Sequence, residues 1–464
     1  MGIGERLSRR KSVEQLQQEA GANKQFRRVL GLWQLTAIGL GGIIGVGIFV
    51  LTGVVAATQT GPAVLLAFVL AGIASAAAAL CYAEFAGMIP VSGSAYTYGY
   101  AVLGEFAAWL LGWDLLLCYA LIVAVVAAGW SGYVQALLGA AGIQLPLWAQ
   151  GAAGSGAGHE FDIVASGVAL AIALLLTVRT EWGARFNTAI VAIKIAGVLL
   201  VILAGVAYVK PGNWHPFMPF GFSGVLAGAA VVFFAVFGYD TLTTAAEEAK
   251  DPQRDLPWAV VLSLGIAMVL YLGMSLVLTG IVPSSTLNNA APVANAFTAI
   301  GLRWVMVVVS AAAVTGITSV LFANMLAGAR IGFALSRDGL IPAWFSAVHP
   351  RFRTPHRATL TLGVATAIAA GLFPLTLVAE VVNFGMLAAF AVICAAVIML
   401  RRARPDLPRS FRVPFVPLVP AIGTVFSLWL IWGLPVGVWL GFAAWMAAGV
   451  LVYLGYGMGH SRLR

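Results

Sequence analysis

The chain has 464 residues, 61% of them hydrophobic and only 9% charged, with a mean hydropathy of +0.96 and a formal net charge of +9. Those proportions exclude an ordinary soluble domain, in which charged residues make up about a quarter of the chain. Apolar stretches near twenty residues, the length that crosses ~30 Å of hydrocarbon, recur about a dozen times, so the composition predicts a polytopic helical membrane protein. In a soluble protein the positive balance would point to nucleic acid; here it sits between apolar stretches, and no nucleic-acid partner is expected.

Residues 1–31 form a polar arm that carries Arg6, Arg9, Arg10, Lys11, Lys24, Arg27 and Arg28, with a short surface helix expected around Val13 to Ala20. No cleavable signal is visible, because the first apolar stretch is long and lacks a small-residue cleavage site, so that span itself should direct insertion. Spans are predicted near 32–57, 62–89, 98–138, 161–180, 184–209, 224–248, 257–282, 302–335, 358–373, 376–402, 419–435 and 437–457. Span 3 is long enough to tilt or to continue beyond the bilayer. The glycine-rich run from Gly151 to Gly158 reads as an external flexible loop.

Basic residues alternate with this count. Arg179 and Arg185 fall between spans 4 and 5, and Lys250 and Arg254 between 6 and 7. Arg330, Arg337, Arg351, Arg353 and Arg357 cluster around the loop between 8 and 9, and Arg401, Arg402, Arg404, Arg409 and Arg412 around that between 10 and 11. Arg462 and Arg464 end the tail, whereas the opposite loops hold only Lys210 and Arg303. By the positive-inside rule both termini are cytoplasmic. Short loops without an Asn-x-Ser/Thr acceptor favour a bacterial inner membrane.

Two spans carry breaks. Span 1 holds Gly39, Gly41, Gly42, Gly45 and Gly47, and each glycine weakens a helix by roughly 1 kcal/mol against alanine. Span 6 holds Phe233, Phe234, Ala235, Val236, Phe237, Gly238, Tyr239 and Asp240, with an acid beside the glycine. Irregular backbone inside a bilayer is tolerated only where it lines a protein cavity, so a polar site is expected at the midplane. Close packing of Gly41 and Gly45, four residues apart, is the alternative, and it does not by itself require Gly42 and Gly47. The broken spans lie five apart and therefore run in opposite directions, the mark of an inverted repeat. The predicted organisation is an arm (1–31), a first repeat of helices 1–5 (32–209), an inverted second repeat of helices 6–10 (224–402), helices 11–12 (419–457) and a tail (458–464).

These residues resemble a known family. The run from Gly41 to Phe49 is similar to the unwound first helix of the amino acid–polyamine–organocation superfamily, and the run from Pro90 to Tyr98 to its loop after helix 2. Residues Glu247 to Pro257 resemble the loop after helix 6, and Ser336 to Pro342 that after helix 8. With Phe411-Arg412-Val413-Pro414, the resemblance is strongest to bacterial relatives of the cationic amino acid transporters. It covers nearly the whole chain and implies an all-α fold of about 12 transmembrane helices, a five-plus-five inverted repeat with discontinuous helices 1 and 6. It also implies proton-coupled symport of L-amino acids, neutral or cationic. An exchanger or facilitator without obligatory proton coupling, and a polyamine or nucleobase carrier on the same fold, stay open.

An amino acid zwitterion needs donors for its carboxylate and acceptors for its ammonium, and a broken helix offers both. The N–H groups of Val46 and Gly47, with Gly45 beside them, would take the carboxylate, and the Ile43 carbonyl the amine. By resemblance the carbonyls of Phe234, Ala235 and Phe237 join them, with the Phe234 ring as a lid. Lys194 lies nine residues from Arg185 and sixteen from Lys210, roughly 13 and 24 Å along a helix, too deep to snorkel. In the resemblance a lysine here takes the place of a sodium ion and touches helix 1; burial disfavours its charged form, which makes it the candidate proton carrier. A structural lysine donating to backbone carbonyls is the alternative. Asp240 is a second coupling candidate, or a gate or helix-connection partner. Cys118 and Asn324 belong by resemblance to the side-chain pocket, where a packing role is equally open. Glu84 and Glu105 fall near cytoplasmic ends, where solvated or capping roles are expected, and Asp114 is deeper.

The three cysteines form no metal spacing, and the five histidines all fall in loops or near the tail, so neither a metal site nor an enzyme is expected. No organic cofactor is implied; the proton is the coupling ion. The expected partners are a small amino acid and the lipid bilayer, and oligomeric state is left open.

Overall fold

A computed structural model describes residues 9, 15, 30–91, 94–178, 184–243, 246–352 and 354–462, the side chains of 184–187 and 247 aside. Most of the expected arm, its surface helix, and the side chains of Arg179, Arg185 and Arg353 lie outside the described residues. Within them the protein is helical, with only two isolated bridges, Leu30 with Ala249 and Ala152 with Glu160. Eight helices among the described residues are long and apolar enough to cross a membrane, and Leu32–Ile43, Ile163–Val178 and Leu418–Trp432 are shorter apolar helices.

The first span opens with α1 (Leu32–Ile43), which runs through Gly39, Gly41 and Gly42 and stops only at Ile44, whose backbone is extended (φ −78°, ψ 102°). The chain resumes at Val46 in a π turn (Gly47–Leu51), α2 (Thr52–Val55) and a second π turn (Ala56–Thr60). Then come α3 (Val64–Met88), α4 (Ser94–Val102), α5 (Glu105–Ala140), α6 (Ile163–Val178) and α7 (Ala184–Val206). The second interrupted span comprises α8 (Gly221–Val232), a 3-10 turn (Phe233–Ala235), irregular backbone at 236–239 and the single turn α9 (Asp240–Thr243). The chain continues through α10 (Pro252–Ile281), α11 (Pro292–Ala299), α12 (Arg303–Arg337), α13 (His356–Leu372), α14 (Leu375–Ala403), α15 (Leu418–Trp432) and α16 (Val436–Val452).

Two boundaries and one additional helix differ from expectation. Span 3 does not begin near 98, because Gly104 at φ 102° cuts α4 from α5, leaving Glu105 in the first turn of α5. Helix α10 starts at Pro252, a residue suited to the first helical position, rather than at Pro257. Helix α11 was not expected; it is too short to span, and it buries Val293, Ala294, Ala296 and Phe297.

Small residues let the long helices approach closely, as bundles in lipid require. Helix α3 buries alanines along its length and packs on α10, while α5 and α12 pack on each other. Helix α7 lies against α1, α10 and α12, which places it beside the first break. Indole stacking holds α16: Trp113 and Trp445 lie 4.5 Å apart, and each Nε1 donates to the other's carbonyl, at 2.9 and 3.2 Å.

Glu84 and Glu105, for which solvated or capping roles are expected, are both buried. Glu84 Oε1 accepts from Arg401 Nε at 3.0 Å and Arg409 Nε at 3.1 Å, and Oε2 from the Val413 backbone at 2.8 Å and from Arg401 Nη2. The loop after α14 folds back over the end of α3, a long-range effect that position within a span does not reveal. Glu105 accepts from Tyr100, Tyr453 and Ser461 at 3.0, 2.9 and 2.6 Å, which draws the C-terminal segment onto the start of α5.

Removing one member of a buried ion pair leaves the other charge uncompensated, at about 3–5 kcal/mol. Glu84→Gln is therefore expected to lower the apparent melting temperature in detergent clearly, whereas Asp406→Asn, in the exposed Arg404–Asp406 pair, is expected to leave it nearly unchanged. Equal, small shifts for both would show that the cluster does not hold the loop.

Candidate functional site

The two breaks meet backbone to backbone. A Cβ on Gly42 would lie 2.5 Å from the Gly238 carbonyl oxygen and 2.7 Å from Thr241 Oγ1, and one on Gly47 would overlap Ala235. Gly238 itself adopts φ 118°, a conformation reserved for glycine, with the Gly42 carbonyl oxygen against the position a side chain would occupy. Gly42 and Gly47 are thus contact glycines as well as helix breakers. Close packing does therefore require Gly42 and Gly47, contrary to the expectation from the sequence. Gly45 faces α12, where a Cβ would lie 3.1 Å from Val320.

Each break leaves carbonyls without helical partners, and side chains from other elements reach them. Lys194 is fully buried on α7, its stem against Gly316 of α12. Its ammonium donates to Gly41 O at 2.8 Å, Ile44 O at 2.9 Å and Ser319 Oγ at 3.3 Å. Three acceptors match three N–H donors, and two of them are carbonyls at the negative end of α1. The Tyr271 hydroxyl, from α10, sits between the breaks, 2.9 Å from Ile43 O and 2.7 Å from Ala235 O. Beyond them, Ser75 donates to Val236 O at 2.5 Å, Asn383 Nδ2 to Ala230 O and Val231 O at 2.7 and 3.1 Å, and Tyr133 to Phe49 O at 2.7 Å.

The residues expected from the sequence divide into two groups. Ile43, Gly45, Val46, Gly47, Ala235 and Lys194 converge on the first break or its contact with the second. Phe234 and Phe237 lie at the second break, buried, with ring centroids 5.4 Å apart and edge to face. Asn324 is one turn beyond Val320 on α12, the helix that adjoins Gly45, and its Nδ2 donates to Val320 O at 2.9 Å. The Cys118 thiol lies 3.4 Å from Asp114 Oδ1, and a Cβ on Gly385 of α14 would lie 2.5 Å from the sulfur. Asp240 opens α9, and its Oδ2 accepts from Tyr119 of α5 at 2.6 Å, a tie between helices. Tyr271, Ser75 and Asn383 escaped the sequence reading, because one polar residue in an apolar span carries no local sign of its partner.

Comparison with known proteins agrees with this architecture. A family model described as amino acid permease matches residues 30–458, and the chain belongs to that family of membrane transporters rather than to an enzyme family. It is 47% identical over 457 residues to a methylthioribose transporter of Bacillus subtilis (strain 168), covering 98% of this chain and 99% of the relative. It is 43% identical over 458 residues to the branched-chain amino acid permease BcaP of the same organism, covering 98% of each. Cationic amino acid transporter 4 of Homo sapiens is 36% identical over 420 residues, 88% of this chain and 64% of that protein.

Gly47→Ala places a methyl group where Ala235 stands and forces the breaks apart. The variant is expected to insert and purify but to lose thermal stabilisation by substrate, read as a melting shift across a concentration series. An unchanged shift would remove the contact between the breaks from the binding site.

Proposed function

We propose that this protein is a secondary active transporter that carries L-amino acids with protons by alternating access across a bacterial inner membrane. The single observation that carries the reading is the convergence of two interrupted helices on one point, with the positive end of one half-helix and carbonyls of two breaks turned to it. Free N–H groups from Val46 onward suit a carboxylate, and the carbonyls of Ile43, Phe234, Ala235 and Phe237 suit an ammonium. Ile43 and Ala235 are bridged by the Tyr271 hydroxyl, which an ammonium could replace or join, since each carbonyl has two lone pairs. The topology in this reading is twelve spans in a five-plus-five inverted repeat, helices 11 and 12 outside it, and both termini cytoplasmic.

Lys194 serves as the proton carrier in this account. Protonated, it pins α1 through Gly41 O and Ile44 O; neutral, it offers fewer donors and releases that end of the break. Proton loss and movement of α1 are thereby linked. An exchanger, in which Lys194 stays protonated and only holds α1, uses the same geometry without coupling. A second cargo reading rests on the relative named a methylthioribose transporter. Methylthioribose has neither ammonium nor carboxylate, so it would leave the paired donors and acceptors of the breaks without charged partners.

Uptake into proteoliposomes of radiolabelled amino acids and methylthioribose, with and without an inward proton gradient, tests these readings together. Gradient-driven accumulation of an amino acid is expected. Accumulation of methylthioribose alone would replace the cargo, and equilibration without accumulation would favour exchange. In the same assay Lys194→Ala is expected to abolish accumulation and leave slow equilibration or exchange; accumulation retained under a pH gradient alone would make Lys194 structural.

Asn324→Met adds volume one turn from the helix face that meets Gly45. It is expected to weaken leucine or arginine more than alanine in a competition series, because the backbone contacts are shared by all amino acids. Equal losses across the series would place Asn324 outside the side-chain pocket.

A further inference from the structure

A second polar cluster lies beyond the break of the second interrupted span, on the side of α9. The hydroxyls of Tyr82 on α3 and of Ser94 and Tyr98 on α4, and Asp240 Oδ1, are buried and have no hydrogen-bond partner among the described residues. They are neighbours. The Tyr82 ring centroid lies 6.0 Å from that of Tyr98 and 6.0 Å from that of Tyr239, the residue before Asp240. Ser94 and Tyr82 adjoin through their hydroxyls without reaching hydrogen-bond geometry, as do Tyr98 and Thr243. Ser94 holds an uncommon φ of 51° at the first turn of α4, so an unusual backbone places this unpaired hydroxyl in the interior.

Buried polar atoms without a partner are rare in folded proteins, and a cluster of them is met by ordered water, which joins two to four such groups. The inventory fits water. Three hydroxyls each bring a proton and lone pairs, and Asp240 Oδ1 accepts when the carboxyl is ionised and can donate when it is protonated, so water, which both donates and accepts, suits the group in either state. The titratable groups facing Asp240 are Tyr82 from α3, Tyr98 from α4, Cys118 and Tyr119 from α5, and its neighbour Tyr239. No basic side chain is among them.

We propose that Tyr82, Ser94, Tyr98 and Asp240 form a hydroxyl-lined water site that relays a proton from Asp240 toward the start of α4. The relay rests on the proton-coupled reading above; the water site does not. In the relay step the Asp240 O–H bond breaks and its proton passes to the adjoining water, which releases another proton toward the next hydroxyl. The carboxylate left behind keeps the Tyr119 hydroxyl as a donor at Oδ2 and gains the water as a donor at Oδ1. Asp240 and Lys194 then have separate roles, the latter on α1 and the former below the second break.

Hydroxyl-radical footprinting of the full-length protein, with radicals generated by radiolysis of water, tests the site directly. Tyr82 and Tyr98 are expected to be modified several-fold faster than Tyr133 and Tyr271, which are equally buried but whose hydroxyls meet backbone carbonyls. Equal protection of all four would overturn the water site. Replacing sodium by choline is expected to leave the labelling unchanged; protection that appears only with sodium would assign the cluster to a cation instead. For the relay, Tyr98→Phe is expected to slow proton-driven uptake several-fold while substrate affinity is retained. Unchanged uptake would overturn the relay, as would a wild-type protein that accumulates nothing under a proton gradient, and in that case footprinting still decides the water site.

Discussion

Main-chain carbonyls that lose their helical partners inside an apolar bundle must be met by something, and the rest of this structure is arranged around that constraint. An unmet buried acceptor costs about 1–3 kcal/mol, so two breaks could remove much of a folded protein's margin. Here Lys194 meets Gly41 and Ile44, Tyr271 meets Ile43 and Ala235, Ser75 meets Val236, and Asn383 meets Ala230 and Val231. These side chains come from α7, α10, α3 and α14. Four helices are thereby positioned by two short stretches of irregular backbone.

The same arrangement makes the breaks useful. Gly42 against Gly238 brings the two main chains into direct contact, and Gly47 packs on the Cβ and Cα of Ala235. Under the proposed function, a site built largely from main chain is indifferent to a ligand's side chain, so it suits a family whose members carry different cargo. Selectivity then has to come from neighbouring helices, of which α12 adjoins the first break through Val320. Lys194 differs from the other ties in carrying a charge that can be removed. Of the side chains that meet the carbonyls of the breaks, it is the one that the proposed coupling requires to lose a proton and loosen α1.

Legibility in the sequence followed the range of the interaction. The breaks could be read because Gly45, Gly47 and Gly238 act on their own backbone, and Lys194 stood out because a lysine that deep in a span has no local explanation. The contact role of Gly42 and Gly47 was hidden, since it depends on where the second break lies in space. Tyr271 and Asn383 were hidden for the same reason: an isolated tyrosine or asparagine looks alike whether it meets a carbonyl or lipid headgroups. Glu84 was misread because its place near a span end suggests water, and only the folded-back segment with Arg409 and Val413 buries it. Cys118, assigned to the pocket by resemblance, lies against Asp114 and Gly385 of α14, contacts that its sequence position does not reveal.

The central claim is that the paired breaks recognise the ammonium and carboxylate of an amino acid together. Counterflow competition tests it most directly, using a transported L-amino acid against the two molecules that lack one group each, the corresponding amine and the corresponding carboxylic acid. The account predicts that neither competes at concentrations where the amino acid itself does, because each leaves donors or acceptors of the breaks without a partner. Competition by the amine or the acid as strong as that of the parent amino acid would contradict it.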